Sequence, residues 1–265
     1  MLKYAAKVFY DGRLGDWRYM QNRIKRALLA SKVSSPPFKL PLASRTDSGV
    51  WCLSQVISFN SKVKLKSLRR INAYLPRGIR LYALAEVSSD FSPRKALKRV
   101  YIYIVPYSGE NLDIMRKATE LFIGKHDFWN FCVAKREEST VREVTNIFVS
   151  EAAETIIMIF EGPGFLNKMI RKIAWTILAA GRGKIDLEFI QNRLERKVDS
   201  KVPSLSPQGL ILYSIEYPQP IKFKYDNSAL TDIREYLTKE KRNLEVFYAL
   251  TNLSLLKLST TRNFK

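Results

Sequence analysis

Ser44-Arg45-Thr46-Asp47-Ser48-Gly49-Val50 is a polar, glycine-bearing segment between a proline-containing connector, Ser34 to Pro41, and an alternating run from Gln55 to Phe59. It reads as a loop that delivers one carboxylate, Asp47, on the approach to a β-strand. Upstream, Tyr4 to Tyr10 alternates as a strand and Asp11-Gly12 supplies turn chemistry. From Tyr19 to Ala30, Met20, Ile24, Ala27 and Leu28 recur at helical spacing while Arg23, Lys25 and Arg26 take other faces, which predicts an amphipathic basic helix. Downstream, Lys62 to Asn72 is a second basic helix candidate, broken by Leu75-Pro76-Arg77-Gly78 ahead of a strand from Ile79 to Val87.

The same order then recurs. Val100 to Val105 has strand composition and Pro106 ends it; Asn111 to Leu121 reads as helix; Ile147 to Val149 and Thr155 to Phe160 read as strands. Gly162-Pro163-Gly164 is a turn, Phe165 to Ala180 a long helix carrying Lys168, Arg171 and Lys172, residues 185–197 a further helix, and Gly209 to Tyr217 a last strand. Strand, helix, strand, helix, strand thus occurs twice with its seam near Pro106 to Gly109, which predicts an α+β fold of two similarly built halves without a close sequence repeat. The expected divisions are 1–107, 108–217 and an extension, 218–265, that is helical through Leu237, leucine-rich beyond it, and folded onto the body or a partner.

A chain of 265 residues that is 46% hydrophobic can bury a real core, which argues against disorder. Lysine and arginine number 45 against 25 acidic residues, and this +20 excess runs along the whole chain, as expected of a folded polyanion binder. Solubility is the plainer reading of charge alone. With one histidine, His126, and two cysteines, Cys52 and Cys132, a four-ligand zinc site of thiolates and imidazoles cannot be assembled. No phosphate-binding glycine loop of the nucleotide-dependent enzymes occurs. Catalysis is therefore expected to rest on carboxylate, tyrosine, lysine or arginine, without a metal or cofactor. No secretory pattern opens the sequence and no apolar run approaches the ~20 residues that cross a bilayer. Both point to a reducing cytoplasm and away from a membrane.

The central segment, followed by Gln55-Val56 and Phe59, resembles the signature of the TruA-type tRNA pseudouridine synthases. The resemblance continues in order through Tyr10-Asp11-Gly12, Leu75-Pro76, Asp90-Phe91 with Arg94 and Ala96, Arg99-Val100-Tyr101-Ile102-Tyr103, His126-Asp127-Phe128 with Phe131, Gly164-Phe165-Leu166 with Met169-Ile170-Arg171, and Gly209-Leu210. It spans roughly residues 4–217. Three departures stand out: the turn after Tyr-Asp-Gly is Leu14-Gly15-Asp16-Trp17-Arg18, Trp51 replaces a common histidine, and Trp175 replaces a common glycine. What the resemblance implies is two ferredoxin-like α/β halves joined into a continuous, mainly antiparallel sheet, with helices on one side and the active-site cleft between the halves.

It also implies isomerisation of uridine to pseudouridine in the anticodon stem-loop of tRNA, at positions 38, 39 and/or 40, by a homodimer in which one protomer positions RNA for the other. Asp47 would be the catalytic carboxylate, as nucleophile or as base. A carboxylate enclosed by a nucleotide loses solvation, which disfavours its charged form unless a fixed cation compensates; Arg171 is the candidate. Tyr101 would offer a flat face to uracil and a hydroxyl near its edge. Arg45 would fill the position left by the extruded nucleotide. Lys62, Lys66, Arg69, Arg70 and Arg77 are the expected phosphate contacts. Two other classes stay open from sequence: a non-catalytic RNA-binding protein that retains the scaffold, and a basic structural protein of a ribonucleoprotein.

Overall fold

The computed structural model describes residues 2–135 and 137–260. Strand β1 (Leu2–Tyr10) forms because Tyr4, Ala6, Val8 and Tyr10 all reach the core. It lies between β2 (Trp51–Ser61) and β3 (Ile79–Glu86), antiparallel to both. Helix α1 (Trp17–Ala30) is capped by Asp16, whose carboxylate accepts from the amides of Arg18 and Tyr19, and it buries Met20, Ile24, Ala27 and Leu28. Those are the four residues on which the helix was expected.

The second run begins with β4 (Lys98–Pro106), flanked by β8 (Thr155–Gly162) and β9 (Leu210–Glu216), both antiparallel to it, with β7 (Asn146–Ala152) outside β8. Helices α3 (Leu112–Glu120), α4 (Met169–Gly181) and α5 (Leu187–Leu194) pack in this part, and Gly181 permits a close contact of α4 with α3: a Cβ there would lie 2.4 Å from Met115 Cγ. Trp175 is one of the partly buried residues against the core, so the close approach is made six residues further along. A separate hairpin of β5 (Gly124–Asp127) and β6 (Val141–Val144) interrupts the run; the sequence reading had no strand there.

One eight-stranded sheet results, in the order β10-β3-β1-β2-β9-β4-β8-β7, where β10 is Lys224–Tyr225. Every pairing is antiparallel except β2 with β9, Trp51 opposite Ile211 and Cys52 opposite Leu212. This parallel seam brings the end of the Asp47 loop beside elements that lie more than 150 residues later in the chain.

Three expectations need correction. Only Arg69–Asn72 (α2) is helical in the segment 62–72. The backbone before it is held by side chains instead: Tyr4 Oη accepts from the Leu65 amide at 3.1 Å, Asp226 Oδ2 from the Leu68 amide at 3.0 Å, and Ser61 Oγ from the Val63 amide at 3.2 Å. The helix expected from Phe165 starts only at Met169, because Lys168 sits in the left-handed region at φ 58. Finally, helices do not keep to one face. Helix α6 (Asn227–Thr260) packs Ala229, Ile233 and Tyr236 against Phe9 and Tyr82, whose side chains lie opposite the core-facing Val8, Tyr10 and Leu81. The expected leucine-rich stretch continues this helix; side chains beyond Thr251 lie outside the described residues.

Candidate active site

The Asp47 loop is fixed at both ends. Gln55, fully buried on β2, mimics a strand neighbour: its Nε2 donates to the Ser44 carbonyl at 2.7 Å and its Oε1 accepts from the Ser44 amide at 3.1 Å. The Trp17 amide at the start of α1 donates to the Thr46 carbonyl at 3.1 Å. Beyond Asp47 the chain turns back, with the Val50 amide donating to the Asp47 carbonyl at 3.2 Å and the Gly49 amide to Gly12 at 2.8 Å. Gly49 has φ +94, and a Cβ there would lie 2.9 Å from Pro207 Cγ; at Gly12 a Cβ would be 2.2 Å from the Val50 carbonyl oxygen. Gly12 is thus required by close backbone approach and Gly49 by its left-handed φ beside the Pro207 ring, and together they hold Asp47 at the tip, 37% exposed.

Across the seam, Arg171 stands in the first turn of α4. Its Nη1 donates to Asp47 Oδ2 at 2.6 Å and its Nε to the Leu205 carbonyl at 2.8 Å, while its own carbonyl accepts from the Leu205 amide at 3.1 Å. The guanidinium is only 11% exposed and is held from two sides of its planar fork, a geometry an ammonium cannot reproduce. Tyr101, in mid-β4 between Phe160 on β8 and Leu212 on β9, joins them. Its hydroxyl and Ser44 Oγ share a hydrogen bond of 2.5 Å, and Phe165 meets its ring edge-on at 5.5 Å. Burial pushes the Tyr101 phenol up to about 12, with the Ser44 hydrogen bond offsetting part of it, so the group stays neutral at physiological pH. Tyr103 is likewise pushed up to about 12 by burial, against the pull of nearby Arg171.

Arg99 is the residue whose part in the site the sequence reading missed, although it opens the matched β4 motif. It is buried, and its guanidinium donates to the Ala43 carbonyl at 3.2 Å and 2.8 Å, to Arg94 at 2.9 Å and to Pro163. Ala43 leads into the Asp47 loop and Pro163 into the turn that presents Phe165. Arg99 therefore ties together the two loops that face one another across the site, and among the described residues it has no carboxylate partner. Its position beside Tyr101 on a strand was the available signal.

Asp47, Tyr101 and Arg171 lie in one cleft of about 1090 Å³. Arg45 lines it too, but exposed and turned back over the Trp17 ring, 5.1 Å from the centroid. The altered turn at 14–18 thus supplies both the cap of α1 and a seat for Arg45. Among the described residues, nine lysines and arginines line the cleft against three acidic residues; six of the nine, Arg18, Lys25, Lys39, Arg94, Arg142 and Lys168, were not expected at the site from sequence. Lys62, Lys66, Arg69, Arg70 and Arg77 are exposed, and none is among the residues lining the cleft. His126 Nε2 donates to the Ile123 carbonyl at 2.9 Å, beside the β5 hairpin, and the residue also lies outside the cleft. Among the described residues no group of three or more His, Cys, Asp or Glu side chains could hold a metal ion, and no helix is long and apolar enough to cross a membrane.

A family model described as tRNA pseudouridine synthase matches residues 118–218. Over nearly the full length, the tRNA pseudouridine synthase A of Pyrobaculum calidifontis is 38% identical across 251 residues, 94% of each chain. The chain belongs to the tRNA pseudouridine synthase family. Other similar synthases include those of Archaeoglobus fulgidus, 36% identical over 88% of this chain and 90% of that one, and Pyrococcus furiosus, 31% identical over 86% and 88%. The likeness to the Pyrobaculum calidifontis synthase covers 94% of this chain and so extends beyond residues 118–218, which the family model matches. Among solved structures, an archaeal box H/ACA sRNP complex matches with a TM-score of 0.36 and 15% identity over 66% of this chain and 44% of that chain.

Proposed function

We propose that this synthase isomerises uridine to pseudouridine in the anticodon stem-loop of tRNA, at positions 38, 39 or 40, with Asp47 as the catalytic carboxylate. The observation that carries the reading is the 2.6 Å contact of Asp47 with Arg171, two residues 124 apart in sequence that meet inside a basic cleft. In the reaction the bond from C1′ to N1 breaks, the base turns, C5 bonds to C1′, and the C5 proton is lost as N1 gains one. Product and substrate are isomers, so the step needs no redox partner.

The flipped nucleotide enters beside Tyr101 and Phe165, and the Asp47 carboxylate faces the sugar as nucleophile or base. Arg171 supplies the countercharge that Asp47 needs once RNA excludes water. Tyr101, fixed through Ser44, presents its hydroxyl to the uracil edge. Arg45 leaves Trp17 to occupy the gap in the RNA stack, and the cleft cations together with the separate surface group Lys62, Lys66, Arg69, Arg70 and Arg77 contact phosphates. We read residues 1–107 and 108–217 as two ferredoxin-like halves sharing this cleft and 218–265 as an appended helix, in a cytoplasmic homodimer.

The test is pseudouridine mapping on tRNA transcripts with uridine placed singly at each of the three positions. Product at one or more of them, abolished in Asp47→Ala with RNA affinity retained, is expected. Tight binding without product at any position would favour a non-catalytic RNA-binding role.

A further inference from the structure

We propose that helix α6 is a positioning element for the catalytic loop, acting through Tyr236 on Asp11 and the Gly12 carbonyl behind it. The inference rests on the reading of Asp47 as the catalytic carboxylate. Asp11 is 1% exposed, at the end of β1. Its Oδ2 accepts from Tyr236 Oη at 2.6 Å and from Arg13 Nη2 at 2.6 Å, its Oδ1 from the Arg13 amide at 2.8 Å, and its own amide donates to Gly78 at 2.9 Å. Arg13 Nη2 reaches back to α6 through Glu240 Oε2 at 2.5 Å. A buried carboxylate bonded on every side is immobile, and loss of one donor leaves acceptor capacity unmet where water does not enter.

Immobility matters here because the next residue is Gly12. Its carbonyl holds the Gly49 amide at 2.8 Å, and its Cα lies against the Val50 backbone with no space for even a methyl group. A shift of Asp11 therefore moves Gly49, two residues from Asp47. The same end of the loop feels the helix a second way: Trp51 meets Phe9 at 6.1 Å and lies under Arg13 at 5.1 Å, and Phe9 meets the Tyr236 ring at 6.0 Å. The tryptophan at position 51 is thus part of the face on which α6 sits. Burial first, and Asp11 next, push the Tyr236 phenol up to about 12, so it remains the donor across the working pH range.

Tyr236→Phe keeps the ring against Phe9 and deletes the hydroxyl, which donates to Asp11 at 2.6 Å and accepts a longer, 3.5 Å contact from Arg13 Nη2. Asp232→Asn is the control, because its 3.0 Å pair with Arg80 fastens the same helix to β3 without touching Asp11. Backbone hydrogen exchange of the segment 44–52 is expected to quicken roughly tenfold in Tyr236→Phe, the scale of one charge-assisted hydrogen bond. The single-turnover rate should fall by a similar factor at unchanged tRNA affinity, with Asp232→Asn like wild type in both. Wild-type exchange in Tyr236→Phe, or equal effects in the two variants, overturns the proposal. Should the wild type form no pseudouridine, the assigned activity falls while the exchange comparison still decides whether α6 positions the loop.

Discussion

Arg171→Lys keeps the charge at the site and removes its geometry. The guanidinium uses Nη1 for Asp47 and Nε for the Leu205 carbonyl, 2.6 Å and 2.8 Å away on different edges of one plane. A lysine ammonium can reach one of these partners in good geometry but not hold both. A hydrogen bond between ionised groups contributes roughly 1.5–3 kcal/mol, and the 37% exposure of Asp47 puts this pair at the low end through solvent screening. About 2 kcal/mol of lost orientation corresponds to a fall of roughly 30-fold in the chemical step. The assay is single-turnover pseudouridine formation at saturating enzyme, with tRNA binding measured in parallel. The expected result is the slower step at near wild-type affinity. A rate within about threefold of wild type would refute the claim that Arg171 orients Asp47 and reduce its role to charge.

Arg99→Leu strips the Ala43, Arg94 and Pro163 carbonyls of their common buried donor, and urea unfolding is expected to show a loss of about 3 kcal/mol; a change under about 1 kcal/mol would mean that water replaces it. Tyr82, Tyr101 and Tyr103 are each pushed up to about 12 by burial, so the unfolded chain, ionising near its ordinary ~10, holds fewer protons than the folded one between those values. The stability from keeping them neutral is therefore complete below about pH 10 and lost as pH rises toward 12. Urea midpoints across that window should fall, and less steeply in Tyr101→Phe. Lys168→Ala, in the cleft, should reduce the slope of log affinity for tRNA against log salt by roughly 0.7–0.9; an unchanged slope removes it from the phosphate contacts.

Asp47, Tyr101 and Arg171 were legible as one candidate site only through the ordered motif resemblance, since a loop aspartate, a strand tyrosine and a helix arginine are each ordinary alone. Asp47 is preceded by a connector and followed by a strand, and Tyr101 lies in an unmistakable β pattern, so the motif and the element agreed. Arg171 was placed on a helix that does form, although the left-handed Lys168 delays its start. The basic helix expected at 62–72 fails for a tertiary reason: acceptors on Tyr4 and Asp226, far away in sequence, claim the backbone amides of Leu65 and Leu68. The basic lining of the cleft was equally hidden. Lys39, Arg94, Arg142 and Lys168 come from four separated segments, and only the β2–β9 pairing and the loops around it bring them together. The position of Arg99 on the strand of Tyr101 put it near the site, but nothing there marks its partners, which are backbone carbonyls that every residue has. Helix α6 was expected as a helix, but its face was not; alternation within β1 shows Phe9 pointing away from the main core without saying what covers it.

The central claim is that Asp47 performs the chemistry and Arg171 holds it for that task. Asp47→Asn tests it most directly, because the amide preserves the size of the side chain and one oxygen acceptor for Arg171 while abolishing the carboxylate. Single-turnover assays on tRNA should show no pseudouridine above background, with RNA affinity within a few-fold of wild type. Product formation at a substantial fraction of the wild-type rate would contradict the account.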